Sequence, residues 1–267
     1  FFFFFKTLGL EVGVSVGVPL YLAHTFFFVF FFFGFVEVTR FILPSYSRYL
    51  IIYGAFFLLA LLTLFDIKYA IRAQFLVFIL VIISLIVIGA GGDWWHHLST
   101  QPIRHFGSFR NFWGLFALFF PAVTGLMAGV GLSGELKDPK KQIPRGVAMT
   151  FWLGYSASAQ ELISNNLIMV KLAVFGPVVL AGILAATFSS ALTTLVAAPR
   201  LLQALGENSV FFANSFFAKK AKSGEPRNAT LFTIFIVGIV LSLGNLNSIA
   251  PILTMFFLIT YSMINLV

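Results

Sequence analysis

The chain has 267 residues, of which 60% are hydrophobic and 10% charged, with no cysteine and a formal net charge of +8. Soluble domains carry about 25% charged residues, so a water-soluble globule is excluded and the bilayer is the natural solvent. The positive charge does not point to nucleic acid, because the basic residues sit in short connections between apolar runs, as in cytoplasmic loops of membrane proteins; the absence of cysteine excludes disulfides and thiolate metal sites.

A spanning helix needs roughly 20 mostly apolar residues. In chain order the runs that meet this or come near it are Val12–Val36, Tyr49–Phe65, Ala70–Gly89, Phe112–Ser133, Leu167–Ala198, Ala229–Leu243 and Ile249–Val267. A further apolar stub, Gly146–Tyr155, is too short to cross. Phe1–Phe5 has no basic segment before it, so no cleavable signal peptide is expected. The tracts Phe26–Phe28 and Phe30–Phe33 are of low complexity, where Leu, Val and Ala would normally share the load.

Nearly all the charge lies between these runs. Asp66, Lys68 and Arg72 mark one connection; Glu135, Lys137, Asp138, Lys140, Lys141 and Arg145 mark a second; Arg200, Glu207, Lys219, Lys220, Lys222, Glu225 and Arg227 mark a third. Trp94, Trp95, His96 and His97 fall in a longer polar loop, where the Trp pair suits a membrane interface. If the basic connections are all cytoplasmic, each pair must be separated by an even number of crossings. Only one full-length run separates Arg145 from Arg200, so one crossing is missing, and the stub Gly146–Tyr155 stands where it should be.

Three segments offer chemistry. In Phe112–Arg145 an apolar helix gives way to Pro121, Thr124, Gly125, Gly129, Gly131 and Gly134. Pro removes a helix hydrogen bond and Gly weakens the helix further. A break at mid-membrane frees carbonyls on one half-helix and amides on the other. Such groups must line a cavity, and discontinuous helices of this kind form substrate sites in secondary transporters. The alternative is a simple kink or a close packing contact. In Gly182–Arg200, Ser189 and Ser190 are adjacent, and Ala186 is four residues before Ser190, so its carbonyl lies near that hydroxyl. Hydroxyl and carbonyl oxygens suit a hard cation; the alternative is small-residue packing, with each hydroxyl bonding its own backbone. In Leu246–Asn265, Tyr261 offers a phenolic donor, or else belongs to an interfacial aromatic belt.

His24 could relay a proton from within a span, whereas Glu37 and Arg40 read as interfacial. Adjacent His96 and His97 point apart on a regular element and lack a third ligand, so no transition-metal site is expected. No phosphate-binding loop, dinucleotide fingerprint or nucleophile elbow is present, and no carboxylate pair sits in a span, so an enzyme is not expected.

Together the segments resemble the cation–chloride cotransporter family, of the amino acid–polyamine–organocation superfamily. Phe116–Gly146 resembles the family's broken sixth helix and its exit loop, and Ala185–Leu205 the eighth helix. Glu225–Leu231 with Leu246–Leu266 resembles helices nine and ten, and Leu8–Val38 resembles helix three. The resemblance covers nearly the whole chain. It implies an all-α integral membrane protein, a leucine-transporter-like bundle of inverted repeats. That bundle is incomplete here, without helices one and two, most of seven and everything after ten, so that residues 1–267 form one transmembrane transport domain in fragment and no soluble domain.

The resemblance also implies roles. Pro121 and Thr124 match a potassium position; Gly125, Leu126, Met127 and Tyr261 match a chloride site; Ala186, Ser189 and Ser190 match a sodium site. The family's potassium site also uses a third-helix tyrosine, and Phe31 stands in its place without an oxygen to offer. The expected function is therefore cotransport of chloride with sodium, and with potassium left open by Phe31, by alternating access in a multi-pass protein of the cell membrane. No cofactor and no nucleic-acid partner are expected. The partners are inorganic ions, the lipid bilayer and, as the family commonly forms, a second copy of the chain. Alternatives are an amino-acid or amine transporter of the same fold, and a membrane scaffold subunit that transports nothing.

Overall fold

A computed structural model describes residues 9–64, 67–90, 112–114, 116–117, 120, 170, 173–208, 210, 214–221 and 224–266, with the side chains of 64, 67–73, 89 and 243 left aside. The elements are helices: α1 Leu10–Ile42, α2 Arg48–Leu64, α3 Ile67–Gly89, α4 Gly176–Glu207, the single turn α5 Asn214–Phe217, α6 Arg227–Leu243 and α7 Leu246–Leu266. Of these, α1, α4 and α7 are long and apolar enough to cross a membrane, with shorter apolar stretches in α2, α3 and α6.

The ends follow local chemistry. Gly9, with φ of 88°, precedes α1 in a conformation that favours glycine. Pro177 starts α4, where a missing N–H costs no helix bond. The Asn245 carboxamide accepts from the Ser248 amide at 2.9 Å and caps α7. Two runs depart from the sequence expectation, the first being α1, which continues six residues past Val36 to Ile42. The run Leu167–Ala198 was expected as a span, but the helix begins at Gly176, after an extended Phe175, and continues to Glu207. It passes through Pro199, whose lost bond is tolerated, and Arg200 sits inside the helix rather than in the following connection.

The core forms where α1 meets α4, α6 and α7. Phe28, Phe32 and Phe33 of α1 are buried with Ala191, Leu192 and Leu195 of α4 and Val237 and Leu241 of α6. Tyr21 is buried with Ala198, Leu202 and Leu205. The phenylalanine tract of α1 is thus the packing core, since its rings fill the space between three neighbours. The outer faces stay apolar: Phe57, Phe75, Leu76, Ile86, Phe235 and Met255 are exposed, as lipid-facing residues should be.

Cross-contacts give each helix a direction. Phe35 meets Phe188, and Tyr21 packs with Ala198 and Leu202, so α4 runs antiparallel to α1. The Val174 amide bonds the Val87 carbonyl at 3.4 Å, Ser84 abuts Gly182, and Gln74 bonds Thr193, so α4 is antiparallel to α3 as well. Tyr53 pairs with Ser242 while Phe56 meets Gly238, which sets α2 against α6. The start of α3 and the end of α4 therefore share one face, the face assigned to the basic connections. There the polypeptide after α4 folds back, with Lys220 2.9 Å from Glu207 and Arg200 3.5 Å from Glu225.

Candidate functional site

Pro121, Thr124, Gly125, Leu126 and Met127 lie outside the described residues. The approach to them is described. The rings of Phe116 and Phe120 are 5.2 Å apart, and Phe120 sits edge-on to Tyr261 at 6.3 Å. One level away, the Thr254 hydroxyl donates to the Ala117 carbonyl at 2.6 Å. Both contacts tie the backbone leading into Pro121 against α7, so Tyr261 faces the residue at the threshold of the sequence-predicted break. The Tyr261 ring stacks on Phe257 at 5.8 Å and an interplanar angle of 17°. Its hydroxyl makes no hydrogen bond among the described residues and keeps its proton available to an acceptor.

Phe31 joins the same cluster as Phe120 and Tyr261. Its ring lies 4.4 Å from Phe27 and 6.0 Å from Phe30. The fold thus brings together positions 31, 120 and 261, which are far apart in sequence. At position 31 it places a carbon ring that supplies no lone pair to a cation.

Ala186, Ser189 and Ser190 are on α4, all half-buried. The hydroxyls of this helix divide into two kinds. Thr187 donates to the Ile183 carbonyl at 2.8 Å, Thr193 to Ser189 at 2.8 Å and Thr194 to Ser190 at 2.9 Å. These are the backbone-bonded hydroxyls that a packing helix would show. Ser189 and Ser190 do otherwise: among the described residues neither hydroxyl has a hydrogen-bond partner, although Ser190 is one turn beyond the Ala186 carbonyl. Adjacent on a helix, the two side chains point about 100° apart, and each hydroxyl is free of the backbone bond its threonine neighbours make.

His24 is buried in α1 with Nδ1 2.9 Å from the Leu20 carbonyl and its ring 6.3 Å from Phe257. Neither of these two contacts offers the expected relay a second titratable group. His96 and His97 lie outside the described residues, and no group of three metal-ligating side chains occurs among the described ones. Two residues next to the candidate positions were missed from sequence: Thr254, which holds the approach to Pro121, and Gln74, bonded to Thr193. The available signal was their polarity within apolar runs.

A family profile described as amino acid permease matches residues 2–155 and again residues 155–267. The chain belongs to the amino acid permease family. Its similar relatives include solute carrier family 12 member 9 of Xenopus laevis, 29% identical over all of this chain and 36% of that protein. Cation-chloride cotransporter 1 of Oryza sativa subsp. japonica is 39% identical over 58% of this chain and 17% of its own length. A bumetanide-sensitive sodium-(potassium)-chloride cotransporter of Manduca sexta is 31% identical over 58% and 19% respectively. The chain thus spans roughly a fifth to a third of the length of the curated relatives it matches. The chain is thus a multi-pass membrane protein of a transporter family, similar over part of its length to cation-chloride cotransporters. The alignment with the Xenopus protein takes in the whole chain yet runs over 330 positions, 63 more than the 267 residues available. The two profile matches meet at Tyr155, inside the stub.

Proposed function

We propose that the protein is a secondary transporter that moves chloride together with sodium by alternating access. Its fold would be a leucine-transporter-like bundle of inverted repeats, with the chloride site at Gly125, Leu126, Met127 and Tyr261 and the sodium site at Ala186, Ser189 and Ser190. The observation that carries this reading is the pair of hydroxyls at Ser189 and Ser190 that have no hydrogen-bond partner among the described residues, on a helix whose threonines all bond their own backbone. A sodium ion can orient these hydroxyls without first breaking a bond to the helix's own backbone. For chloride, the amides opening a second half-helix and the helix dipole supply the attraction, and the Tyr261 hydroxyl supplies one more donor. Coupling arises because both ions must be seated before the bundle rocks around the site.

Pro121 and Thr124 stand where a potassium position would be, but Phe31 gives it no third-helix oxygen. In this reading potassium is not carried. The sodium-(potassium)-chloride activity named for the Manduca sexta relative supports the ion class. The description of the family profile favours a second reading, an amino-acid transporter of the same fold that would use the helix break for a substrate carboxylate.

Transport also requires a crossing that this sequence lacks. Since α3 and α4 are antiparallel, an even number of crossings must separate Gly89 from Gly176. The sequence there offers one run of crossing length, Phe112–Ser133, and the ten-residue stub. The 63 surplus alignment positions and the profile junction at Tyr155 fall in with an internal omission near the stub. A complete transcript is expected to encode an apolar run of crossing length between Gly146 and Asn166; an active transporter encoded without one would refute the omission.

The function is tested by radiolabelled chloride uptake in vesicles carrying the complete protein, with external sodium and potassium removed in turn. Uptake that collapses without sodium and ignores potassium is expected. Uptake that ignores both cations, or is displaced by amino acids, would refute chloride–sodium coupling. No uptake at all would favour the scaffold.

A further inference from the structure

We propose that Gln74 of α3 is a positioning residue for the sodium-coupling oxygens of α4, acting through Thr193; this rests on the sodium reading above. Between Gln74 and Ile88 the only polar side chains on α3 are Gln74 and Ser84. Both face α4, whereas Phe75 and Leu76 beside Gln74 are exposed on the lipid side. A carboxamide inside a span must find a partner in protein. Here its Nε2 donates to the Thr193 hydroxyl, which in turn donates to the Ser189 carbonyl at 2.8 Å. A threonine hydroxyl has one proton, so the chain of donors runs one way, from Gln74 to Thr193 to Ser189.

The register explains the consequence. Gly182, Ala186, Ser189 and Thr193 are spaced four, three and four residues apart and form one stripe of α4. Its two ends touch α3: Gly182 at Ser84 and Thr193 at Gln74. Ala186 and Ser189 are held between these contacts, which lie about 16 Å apart along the helix. The Gly182 contact is a close approach without a hydrogen bond and sets the spacing of the two helices, while the packing of Ala191, Leu192 and Leu195 on α1 limits how α4 turns about its axis. The Gln74 bond is directional and adds a restraint at the Thr193 end that apolar packing does not supply. A rotation of about 10° would move an oxygen about 5 Å from the axis by about 0.9 Å, beyond the roughly 0.5 Å within which a binding constellation must be held.

The test measures chloride uptake by the complete transporter in proteoliposomes, with sodium and chloride varied separately. Gln74→Leu and Thr193→Val are each expected to raise the sodium KM between about threefold and about tenfold, the range of one hydrogen bond. Chloride KM and maximal rate should stay within about twofold. Combining the two should cost no more than either alone, and Thr193→Ser, which keeps the hydroxyl, should restore the sodium KM. An unchanged sodium KM in either variant overturns the proposal. So does a parallel rise in chloride KM, or a Thr193→Ser protein as impaired as Thr193→Val. Wild-type uptake that needs no sodium overturns the reading beneath it instead, and the two failures are told apart in the same experiment.

Discussion

The contact between α3 and α4 makes a prediction whose sign is fixed by competing effects. A Cβ placed on Gly182 would lie 2.6 Å from both Cβ and Oγ of Ser84, where ordinary contact begins at 3.4 Å. Ser84 is itself 5% exposed and cannot swing away. In Gly182→Ala, helix propensity alone would stabilise by about 0.5–1 kcal/mol. Forcing the two helices about 0.8 Å apart is an overpacking change, which costs about 1–3 kcal/mol. A net loss of up to about 2.5 kcal/mol is expected. It would be read from reversible unfolding of the purified protein in detergent. Ser84→Gly in the same background should relieve the clash, giving a favourable coupling energy of about 1–3 kcal/mol in a double-mutant cycle. A Gly182→Ala protein more stable than wild type, or a cycle with no coupling, would refute the close packing and the helix directions drawn from it.

Phe31→Tyr should introduce potassium stimulation of chloride uptake, because the phenol adds the missing oxygen beside Phe120 and Tyr261; uptake still indifferent to potassium would refute the account of position 31. Ser189→Ala and Ser190→Ala should each raise the sodium KM by about tenfold or more, as loss of an ionic contact worth about 1.5–3 kcal/mol implies, with the protein still folded by circular dichroism. Thr254→Val should lose about 1 kcal/mol of unfolding stability through its bond to the Ala117 carbonyl and weaken chloride uptake, since the approach to Pro121 is no longer tied to α7. Tyr261→Phe should raise the chloride KM while leaving the sodium KM unchanged, and a reversed pattern would reassign the residue.

The expected runs and the observed helices agree best where one physical cause acts alone. Tyr49–Phe65 and Ala70–Gly89 match α2 and α3 to within three residues, because apolar runs flanked by charge have nowhere to go but the bilayer. Leu167–Ala198 shifted by nine residues at each end, because hydropathy does not register that Pro177 favours a helix start or that a packed helix carries Pro199 and Arg200 within it. The phenylalanines of α1 looked anomalous as a sequence. They are explained by what they touch, since Phe28, Phe32 and Phe33 fill the space between α4 and α6.

Composition and the run lengths determined by themselves that the chain is a membrane protein, and charge placement sets the expectation that the basic connections share a face and that a crossing is missing near Gly146–Tyr155. These follow from solvation, which acts on each segment separately. Tertiary structure alone decided which hydroxyls are bonded. The threonines and serines of α4 are chemically alike, and only their surroundings tie Thr193 to Gln74 and Ser189 while leaving the hydroxyls of Ser189 and Ser190 without a partner among the described residues. Likewise, Phe31 and Tyr261 border one buried cluster because α1 and α7 pack together, with Phe27 edge-on to Phe257, a contact between residues 230 positions apart that no local pattern encodes.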